Sequence, residues 1–342
     1  FFFKNEFRCK FPYMVNNNPI KIGVIGVGHL GKFHVDQLLK IANVNLVGIF
    51  DLDNQRAIKI GREYSVSVFI KIEELMEECD AVSIVAPTTY HFDLAFKALD
   101  YGCHVFIEKP ITETIQQSKT LLKKAESLQK IIQVGHIERF NPAFLHVKDQ
   151  NLNPEFVEIH RLATFNPRGT DVPVILDLMI HDIDILLSLV SSPVVDIKAS
   201  GVEVVSKTVD IANARISFKN GCVANLTASR ISQGDMRKMR IFQKSNYTTI
   251  DFLKKSVEIY NVHEKAPLDI DENSIFPLEG NDKKYIVYQK PSIKDFNALK
   301  EELKHFSFAV SRGQQPEVDG SSAEKALNLA LLIQKIIDEQ AA

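Results

Sequence analysis

Hydrophobic positions recur with two different periods along the chain, and the change of period near residue 136 divides it into two parts. In the first part, short β-branched apolar runs alternate with segments whose apolar residues follow helical spacing. Single helices between strands predict right-handed crossovers and a parallel sheet. We expect a doubly wound Rossmann fold with six strands, at residues 20–26, 44–51, 66–70, 80–87, 104–110 and 130–136.

Strand-like alternation replaces that pattern after residue 136. A period of two predicts an antiparallel sheet, and Lys-Asn-Gly at 219–221 favours a hairpin turn. A helix at 177–190 would cover one face of this sheet. The fold class is therefore α/β, a Rossmann domain followed by an α+β domain with an open, mostly antiparallel sheet. The period-two segments are 156–165, 209–232 and 236–262, residues 262–292 are predicted to be irregular, and the last helices are expected at 293–311 and 322–340.

The length of 342 residues exceeds what one hydrophobic core usually holds, so two domains are expected. Residues 1–19 are aromatic and basic, and we interpret them as a disordered extension. Residues 20–136 form the dinucleotide-binding domain in this division. Residues 137–342 form the domain for substrate binding and oligomerisation, with C-terminal helices that could pack back on the first domain.

Composition excludes several classes of function. The net charge is −2, so no global charge favours nucleic acid or a membrane surface. No apolar run reaches the roughly 20 residues of a membrane span. The four cysteines lie far apart without a Cys-x-x-Cys pair, which argues against zinc and redox sites and favours a cytoplasmic protein.

A glycine motif, GVGHLG at 26–31, joins the first predicted strand to the next helix. Gly26 permits a tight turn, Gly28 lets the backbone approach a pyrophosphate, and Gly31 lets the helix pack on the strand. The amides at the helix N-terminus favour an anion. The motif alone is a weak signal, but its place at the start of a βα alternation indicates a dinucleotide site. The contacts expected from it are Gly26, Gly28, His29, Leu30 and Gly31.

Asp51 ends the second predicted strand. An acid there accepts hydrogen bonds from ribose hydroxyls and repels a 2′-phosphate, which favours NAD over NADP. Two alternatives stay open, because Asp51 or Asp53 could cap the next helix and Arg56 leaves room for NADP. Residues 87–89, after the fourth predicted strand, reach the same edge of the sheet, where a cofactor would lie. A helix cap is an equally good interpretation of this segment. The further cofactor contacts expected are Arg56, Pro87, Thr88 and His91.

Two motifs carry candidate chemistry. Glu108 and Lys109 end the fifth predicted strand beside the expected nicotinamide, where Lys109 can bind a reacting hydroxyl and stabilise negative charge. Asp177 and His181 are spaced i, i+4, so the carboxylate could orient the imidazole as a general base. The alternative is a helix solvated by its acids with His181 packed inside. A metal site would add Asp184, but no further ligand is evident, so no metal is predicted.

The chain resembles the Gfo/Idh/MocA oxidoreductases over nearly all of residues 20–340. The motifs that carry the resemblance are, in order, the glycine motif, Asp-Leu-Asp after the second strand, Ala-Pro-Thr-Thr-Tyr-His, Glu-Lys-Pro and Asp-x-x-x-His. The resemblance implies an active site of Lys109, Asp177 and His181, and a homo-oligomer, dimer or tetramer, formed through the open sheet. One departure is visible. Residues 173–176 are Pro-Val-Ile-Leu where many members have a glycine-rich stretch, so the shape of the pocket does not carry over.

Within the family, VGHIERFNPA (134–143) and VILDLMIHDID (174–184) resemble the members that oxidise UDP-N-acetylglucosamine at C3, before transamination toward diamino-sugar lipid A. We therefore expect an NAD-dependent dehydrogenase of a UDP-sugar. Arginines are suited to a diphosphate, although solvated surface roles are the alternative for each. The substrate contacts expected are Arg139, Asn141, Arg161, Arg168, Asp177 and His181, with Arg230 as a further candidate.

Two other functions stay open. One is a dehydrogenase of another sugar or polyol, such as an inositol. The other is a non-catalytic NAD-binding sensor, against which the presence of both Lys109 and His181 argues.

Overall fold

The computed structural model describes residues 18–150, 152–167, 172–267, 271, 274–278 and 284–341. The predicted disordered extension thus lies almost wholly outside the described residues. Over the described part of the first 136 residues, one parallel sheet has the order β2-β1-β3-β4-β5. Its strands are β1 (Ile20–Ile25), β2 (Val44–Phe50), β3 (Ala81–Ile84), β4 (His104–Glu108) and β5 (Ile132–Gly135). The intervening helices are α1 (His29–Leu38), α2 (Asn54–Tyr64), α3 (Ile72–Glu77), α4 (His91–Asp100) and α5 (Ile115–Ser127).

The strand predicted at 66–70 is wrong. The segment runs beside β2 but makes a single parallel bridge, between Val68 and Ile49. Two backbone hydrogen bonds hold it there, from Ile49 to Ser67 and from Phe69 to Ile49. The chain then leaves for α3, so the apolar run is too short to continue the ladder.

A second sheet follows, with nine strands among the described residues in the order β13-β14-β12-β11-β10-β6-β9-β8-β7. Its neighbours are antiparallel except β6 and β9, which pair parallel. The predicted class, a Rossmann fold plus a mostly antiparallel sheet, is confirmed. The strands are β6 (Phe156–Leu162), β7 (Val194–Val202), β8 (Ile211–Phe218), β9 (Val223–Ser229), β10 (Met236–Gln243), β11 (Asn246–Asp251), β12 (Ser256–His263), β13 (Ile275–Pro277) and β14 (Tyr285–Gln289).

The prediction that residues 262–292 are irregular is wrong in part. Strand β14 pairs antiparallel with β12 from Ile259–Gln289 to His263–Tyr285, and β13 pairs with β14. Residues 285–288, Tyr-Ile-Val-Tyr, are aromatic and β-branched and so favour a strand, and β12 supplies the ladder with which they pair. Its place in the sheet, beyond β12, is set by this long-range pairing and not by the local sequence.

Four helices accompany the second sheet: α6 (Pro142–Val147), α7 (Ile180–Leu189), α8 (Ala298–Arg312) and α9 (Gly320–Ala341). The last two return to the Rossmann sheet. Phe306 of α8 packs in the core cluster that contains Ile22 and Phe106, whereas Leu327 of α9 packs in the cluster of Ile84 and Ile107. The chain end therefore joins both layers, and the start of α8 is brought beside the carboxyl ends of the parallel strands.

None of the helices in the described ranges is long and apolar enough to cross a membrane. Within the same residues, no three His, Cys, Asp or Glu side chains are grouped so that they could hold a metal ion. Cys79, Cys103 and Cys222 are buried free thiols.

Candidate active site

The glycine motif forms a tight turn between β1 and α1. Gly26 has φ +88°, and a Cβ there would lie 2.6 Å from the carbonyl oxygen of Val85. A Cβ on Gly31 would overlap the carbonyl of Gly26, whereas Gly28 faces open space with Arg56 4.0 Å away. The turn thus needs glycine at two positions and leaves the third accessible. Because α1 begins at His29 and its first amides face this opening, the cradle fits a dinucleotide pyrophosphate.

Asp51 is held rigidly at the end of β2. Its carboxylate accepts hydrogen bonds from the amides of Val27 (2.8 Å) and Asp53 (2.9 Å) and lies 3.3 Å from Arg56. Asp53 is the N-cap of α2, since it accepts from the amide of Arg56. The helix-capping alternative therefore belongs to Asp53, and Asp51 remains the acid at the nucleotide edge.

Pro87 and Thr88 begin a 3₁₀ turn (Thr88–Tyr90) at the carboxyl end of β3, where a cofactor contact was predicted. His91 does not suit that role. Its ring is buried, and both nitrogens lie 2.8 Å from backbone carbonyl oxygens, those of Pro110 and Ala86. His91 thus joins the segments after β3 and β4, and its assignment as a cofactor contact is corrected.

Lys109, after β4, is held by Asp177. Its Nζ donates to the backbone oxygen of Asp177 at 2.6 Å and to the Oδ1 of the same residue at 3.3 Å. The prediction that Asp177 orients His181 is therefore corrected. Asp177 lies in a π-helical turn (Ile175–Met179) in which backbone bonds span five residues, so α-helical i, i+4 geometry does not apply. The acid positions the lysine instead.

His181 begins the α-helical part of the same element. Its Nδ1 is buried and has no hydrogen-bond partner among the described residues, although the ring lines a cavity. Burial, reinforced by the positive charge of Lys109 and Arg161, holds the pKa of His181 well below its usual value. The ring is consequently neutral at pH 7 and able to accept a proton.

A cavity of about 440 Å³ brings these groups together at the carboxyl ends of β4 and β5. Lys109 and His181 both line it, beside Glu108, whose carboxylate lies 3.0 Å from the Nε2 of buried His34. The cavity contains no predicted arginine. Its other lining residues come from α1, from the segment after β5, from the β11–β12 turn and from the start of α8: Leu30, Phe33, Gln37, Gly135, Ile137, Asn141, Pro142, Lys255, Asn297, Ala298 and Leu299.

Arg139 and Arg161 are structural, which corrects their prediction as diphosphate contacts. Arg139 is buried and donates from Nε to Asp184 at 2.9 Å. Arg161 is buried and binds Asp182 through Nε and Nη2, and Glu138 through Nη1. Acids of α7 and of the 137–140 turn thus bind every nitrogen of the Arg161 guanidinium and the Nε of Arg139.

Asn141 is likewise committed. Its side chain caps α6 by accepting from the amide of Ala143, and it donates to Glu138 and to the carbonyl of Phe252. Arg230 is buried and donates to the carbonyl of Val172. Arg168 lies outside the described residues. The predicted arginines in the described residues are therefore not placed for a diphosphate, whereas Asn141, predicted as a substrate contact, lines the cavity.

A family model for the oxidoreductase family with NAD-binding Rossmann fold matches residues 20–136, and a model for the GFO/IDH/MocA C-terminal domain matches residues 130–245. The chain is 40% identical over 243 residues to the UDP-N-acetylglucosamine 3-dehydrogenase of Acidithiobacillus ferrooxidans, a match that covers 71% of this chain and 77% of the relative. The chain belongs to the Gfo/Idh/MocA oxidoreductase family.

The solved structure of UDP-N-acetylglucosamine 3-dehydrogenase from Acidithiobacillus ferrooxidans is similar to this Gfo/Idh/MocA chain with a TM-score of 0.86 and 34% identity, covering 94% of this chain and 98% of the other. The scyllo-inositol 2-dehydrogenase (NAD(+)) of Bacillus subtilis is 29% identical over 234 residues, which are 62% of this chain and 68% of the relative. Family membership makes the chain an oxidoreductase with a nicotinamide-dinucleotide-binding Rossmann fold.

Sequence reasoning missed several residues of this Gfo/Idh/MocA site. Lys255 and Asn297 line the cavity from distant parts of the second region. His136 lies at the end of β5, a position where a titratable residue after a Rossmann strand could have signalled it. Glu302 is fully buried on α8 and carried no local signal, because a glutamate in an amphipathic helix is ordinarily solvated.

Proposed function

We propose that this Gfo/Idh/MocA oxidoreductase oxidises the C3 hydroxyl of UDP-N-acetylglucosamine to the ketone with NAD, in the synthesis of diamino-sugar lipid A in the cytoplasm. The observation that carries the chemistry is the shared cavity of Lys109 and His181 at the nucleotide edge of the sheet. The choice of substrate rests on the identity of 40% to a relative of that name.

The mechanism assigns one role to each side chain. His181, kept neutral by burial, accepts the proton of the hydroxyl. Lys109, steadied by Asp177, donates a hydrogen bond to the same oxygen and stabilises the developing alkoxide. An oxidised nicotinamide held beside Lys109 and His181 would supply the hydride acceptor for the carbon. Gly26, Gly28 and the first amides of α1 would hold its pyrophosphate, and Asp51 its adenosine ribose.

Other cations are better placed for a diphosphate than the buried arginines. Lys255 lines the cavity and pairs with the exposed Asp295. Arg237 pairs with Glu138 at 3.3 Å, its side chain is 43% exposed, and its charge acts on the pKa of His181. Lys255 can exchange a solvated contact for a ligand, and the exposed guanidinium of Arg237 can reach a ligand while it stays beside the buried Glu138. We assign the diphosphate to this side of the cavity, where remote binding energy would orient the sugar.

Oxidation of an inositol is the second candidate, motivated by the 29% identity to a scyllo-inositol 2-dehydrogenase. A non-catalytic sensor is less consistent with the site, because the base and the oxygen-binding cation line one cavity.

The deciding experiment is a coupled assay. The protein is incubated with NAD, UDP-N-acetylglucosamine, glutamate and an aminotransferase for 3-keto sugar nucleotides, and the mixture is analysed by mass spectrometry. Coupling removes the ketone, so an unfavourable oxidation equilibrium does not hide activity. We expect a 3-amino UDP-sugar, and none with the His181→Ala variant. Absence of that product, while myo-inositol or a free hexose reduces NAD, would reject the proposed substrate.

We also propose that the protein is a homo-oligomer that associates through the outer face of the second sheet. Five aromatic rings form a ladder across adjacent strands on that face: Phe156, Phe242, Tyr247, Tyr260 and Tyr288, with centroids 5.6, 4.7, 5.3 and 5.1 Å apart in turn. Their sequence neighbours, such as Val157 and Ile241, point to the other face and are buried in the core. A broad aromatic surface of this kind is typical of an interface.

A further inference from the structure

Several buried polar side chains near the end of β5 and on α8 carry atoms without a hydrogen-bond partner among the described residues. His136, Gln133 and Glu302 are each at most 1% exposed. Within the described residues, hydrogen-bond partners are missing for six buried atoms of this group: Nδ1 of His181, Nδ1 and Nε2 of His136, Oε1 of Gln133, and Oε1 and Oε2 of Glu302. Buried polar atoms are satisfied in more than 90% of cases, so such a concentration indicates a site for internal water.

The group is contiguous with the catalytic base. The rings of His136 and His181 are perpendicular, with centroids 6.3 Å apart, and no direct hydrogen bond joins them, since neither nitrogen of His136 has a partner among the described residues. Gln133 donates from Nε2 to the backbone oxygen of Glu302 at 3.1 Å, which links β5 to α8. The charges of Glu108 and Asp184 act on the pKa values of both His136 and Glu302. Helix α8 also packs on the turn that follows His136, since His305, one turn after Glu302, lies against Phe140.

No described cation is left to pair with Glu302. Of its two charged neighbours, Glu108 lies 3.0 Å from His34 of α1, and Asp184 accepts from Arg139 of the 137–140 turn. His305, on the same helix, packs against Phe140. Burial, followed by the charges of Glu108 and Asp184, raises the pKa of Glu302 well above its usual value. Glu302 is therefore a neutral acid that can both donate and accept.

His181 needs such a partner if it is the base of the proposed reaction. Accepting a proton at the nitrogen that faces the cavity requires the buried Nδ1 to carry a hydrogen and to find an acceptor. Asp177 does not supply one, because no hydrogen bond joins it to the Nδ1 of His181, which has no partner among the described residues.

We infer that His136 and Glu302 are positioning residues, which hold the orientation and the tautomer of His181 through a buried, water-completed hydrogen-bond network. Glu302 enters the network as the neutral acid, Gln133 supplies an amide oxygen, and His136 transmits the contact to the Nδ1 side of His181. The inference rests on the proposed function for the role of His181, but the network itself is independent of the substrate.

The first test measures stability against pH without any substrate. Glu302→Gln keeps the size and the hydrogen-bond donor of a neutral acid. The matched control is Glu301→Gln on the same helix, which changes a solvent-facing pair with Lys304. The unfolded chain ionises Glu302 near the ordinary pKa of about 4.3, whereas the folded chain keeps the proton, so native stability falls as pH rises above that value. We expect the Tm of Glu302→Gln, relative to the native protein, to rise steadily from pH 5 to pH 8. The control difference should stay level.

The second test reads His181 directly. In protein labelled with ¹⁵N-histidine, the His181 resonances, assigned with His181→Gln, report which nitrogen carries hydrogen. We expect the Nδ1–H form in the native protein and in Glu302→Gln, and a mixture of tautomers in Glu302→Leu and His136→Phe. With substrate and NAD, the latter two variants should lose at least about tenfold in kcat, a part of what a general base contributes, with KM little changed.

A Glu302→Gln variant that is less stable than the native protein at pH 8, or whose Tm difference does not change with pH, would show that Glu302 is charged and overturn the inference. The inference is equally overturned if His136→Phe and Glu302→Leu leave both the tautomer of His181 and the kcat of the enzyme unchanged. Should Glu302→Leu not fold, His136→Phe and the Gln variant still decide. If the native protein oxidises no UDP-sugar, the stability and NMR results stand by themselves, so the two proposals fail separately.

Discussion

Lys109 and His181 line one cavity but are held in different ways. Lys109 is fixed by two contacts to Asp177, whereas the ring of His181 has a buried Nδ1 without a partner in the described part of the chain. The lysine is thus preorganised by a direct ion pair, and the histidine depends on the packing and polarity around it. This difference separates an electrostatic role from a proton-accepting role at the scale of single residues.

Replacing Lys109 or His181 by Ala should lower kcat by about 10²–10⁴-fold, the usual contribution of a general acid–base group, because each change removes a group that acts on the reacting oxygen. The dissociation constant of NAD, measured by fluorescence titration, should change little. Lys119→Ala, at an exposed position of α5, is the control and should behave like the native protein. Near-normal turnover in either site variant rejects its assigned role.

The pH dependence follows from the lowered pKa of His181. The base is active when neutral, and burial keeps it neutral below the ordinary value of 6.5. Activity should therefore persist as pH falls through 6.5 and decline only when the lowered pKa is reached. We expect kcat/KM, measured from pH 5 to pH 8, to be level across pH 6–7. An acid limb with a midpoint at or above 6.5 would contradict a buried base.

Asp51 should make NAD bind more tightly than NADP. Its carboxylate is fixed by the amides of Val27 and Asp53, so it cannot turn away from a 2′-phosphate. Asp51→Ser should lower the ratio of the dissociation constants of NADP and NAD by about tenfold, equivalent to about 1.4 kcal/mol. Fluorescence titrations with both dinucleotides measure this ratio. Asp53→Asn, which keeps the helix cap, is the control. Equal affinity of the native protein for NAD and NADP would refute the assignment, with Arg56 as the natural cause.

At the scale of secondary-structure elements, α7 serves both the site and the packing. Its N-terminal side carries His181 toward the cavity, while Asp182 and Asp184 bind Arg161 of β6 and Arg139 of the 137–140 turn. Two acids on one helix, with Ile183 between them, thus join the second sheet to the end of the Rossmann sheet. The position of the base is consequently tied to buried ion pairs.

Arg161→Met should destabilise the protein by about 3–5 kcal/mol, because it leaves Asp182 and Glu138 buried without their partner. Urea unfolding followed by circular dichroism measures this loss. Arg240→Met, which breaks an exposed pair with Glu158, should cost at most about 1 kcal/mol. A variant at Arg161 that kept its stability and only raised the KM for a nucleotide sugar would restore the diphosphate role that the salt bridges argue against.

At the scale of the whole molecule, the two sheets present different surfaces. The Rossmann sheet is covered on both faces, with α8 and α9 completing its layers. The second sheet has its inner face in the core and its aromatic ladder on the other side. The candidate cavity lies at the carboxyl ends of β4 and β5, away from the aromatic ladder, which is the face that we propose for association.

Charge placed on the ladder should separate the oligomer. Light scattering at micromolar concentration should give two or four times the chain mass for the native protein, and a smaller mass for a Tyr247→Lys, Tyr260→Lys double variant, because lysines cannot be buried unpaired. Tyr101→Lys, at a half-exposed position just after α4 in the Rossmann region, is the control and should keep the native mass. A native monomer, or a double variant with native mass, would count against this face as the interface.

Much of the fold was accessible from the sequence because its signals are local. The glycine motif, the alternation of β-branched runs with helical spacing and the later period of two all depend on neighbours along the chain. The predictions of a strand at 66–70 and of an irregular segment at 262–292 were wrong, the second in part, for the same reason. Whether a short apolar run joins a ladder depends on the strand beside it, as the single bridge of Val68 and the pairing of β14 with β12 demonstrate.

The sequence by itself determined the family, the nucleotide cradle and the presence of Lys109 and His181, since each of these is carried by a short motif. Only the tertiary structure decided the partners: Asp177 holds Lys109, acids of α7 bind Arg139 and Arg161, and Glu302 is buried with no hydrogen-bond partner for its carboxyl group in the described part of the chain. Side chains of one type are equivalent in a sequence until folding pairs some of them and desolvates others. Charge pairing and burial join residues far apart in the chain, so no local pattern could have assigned these roles.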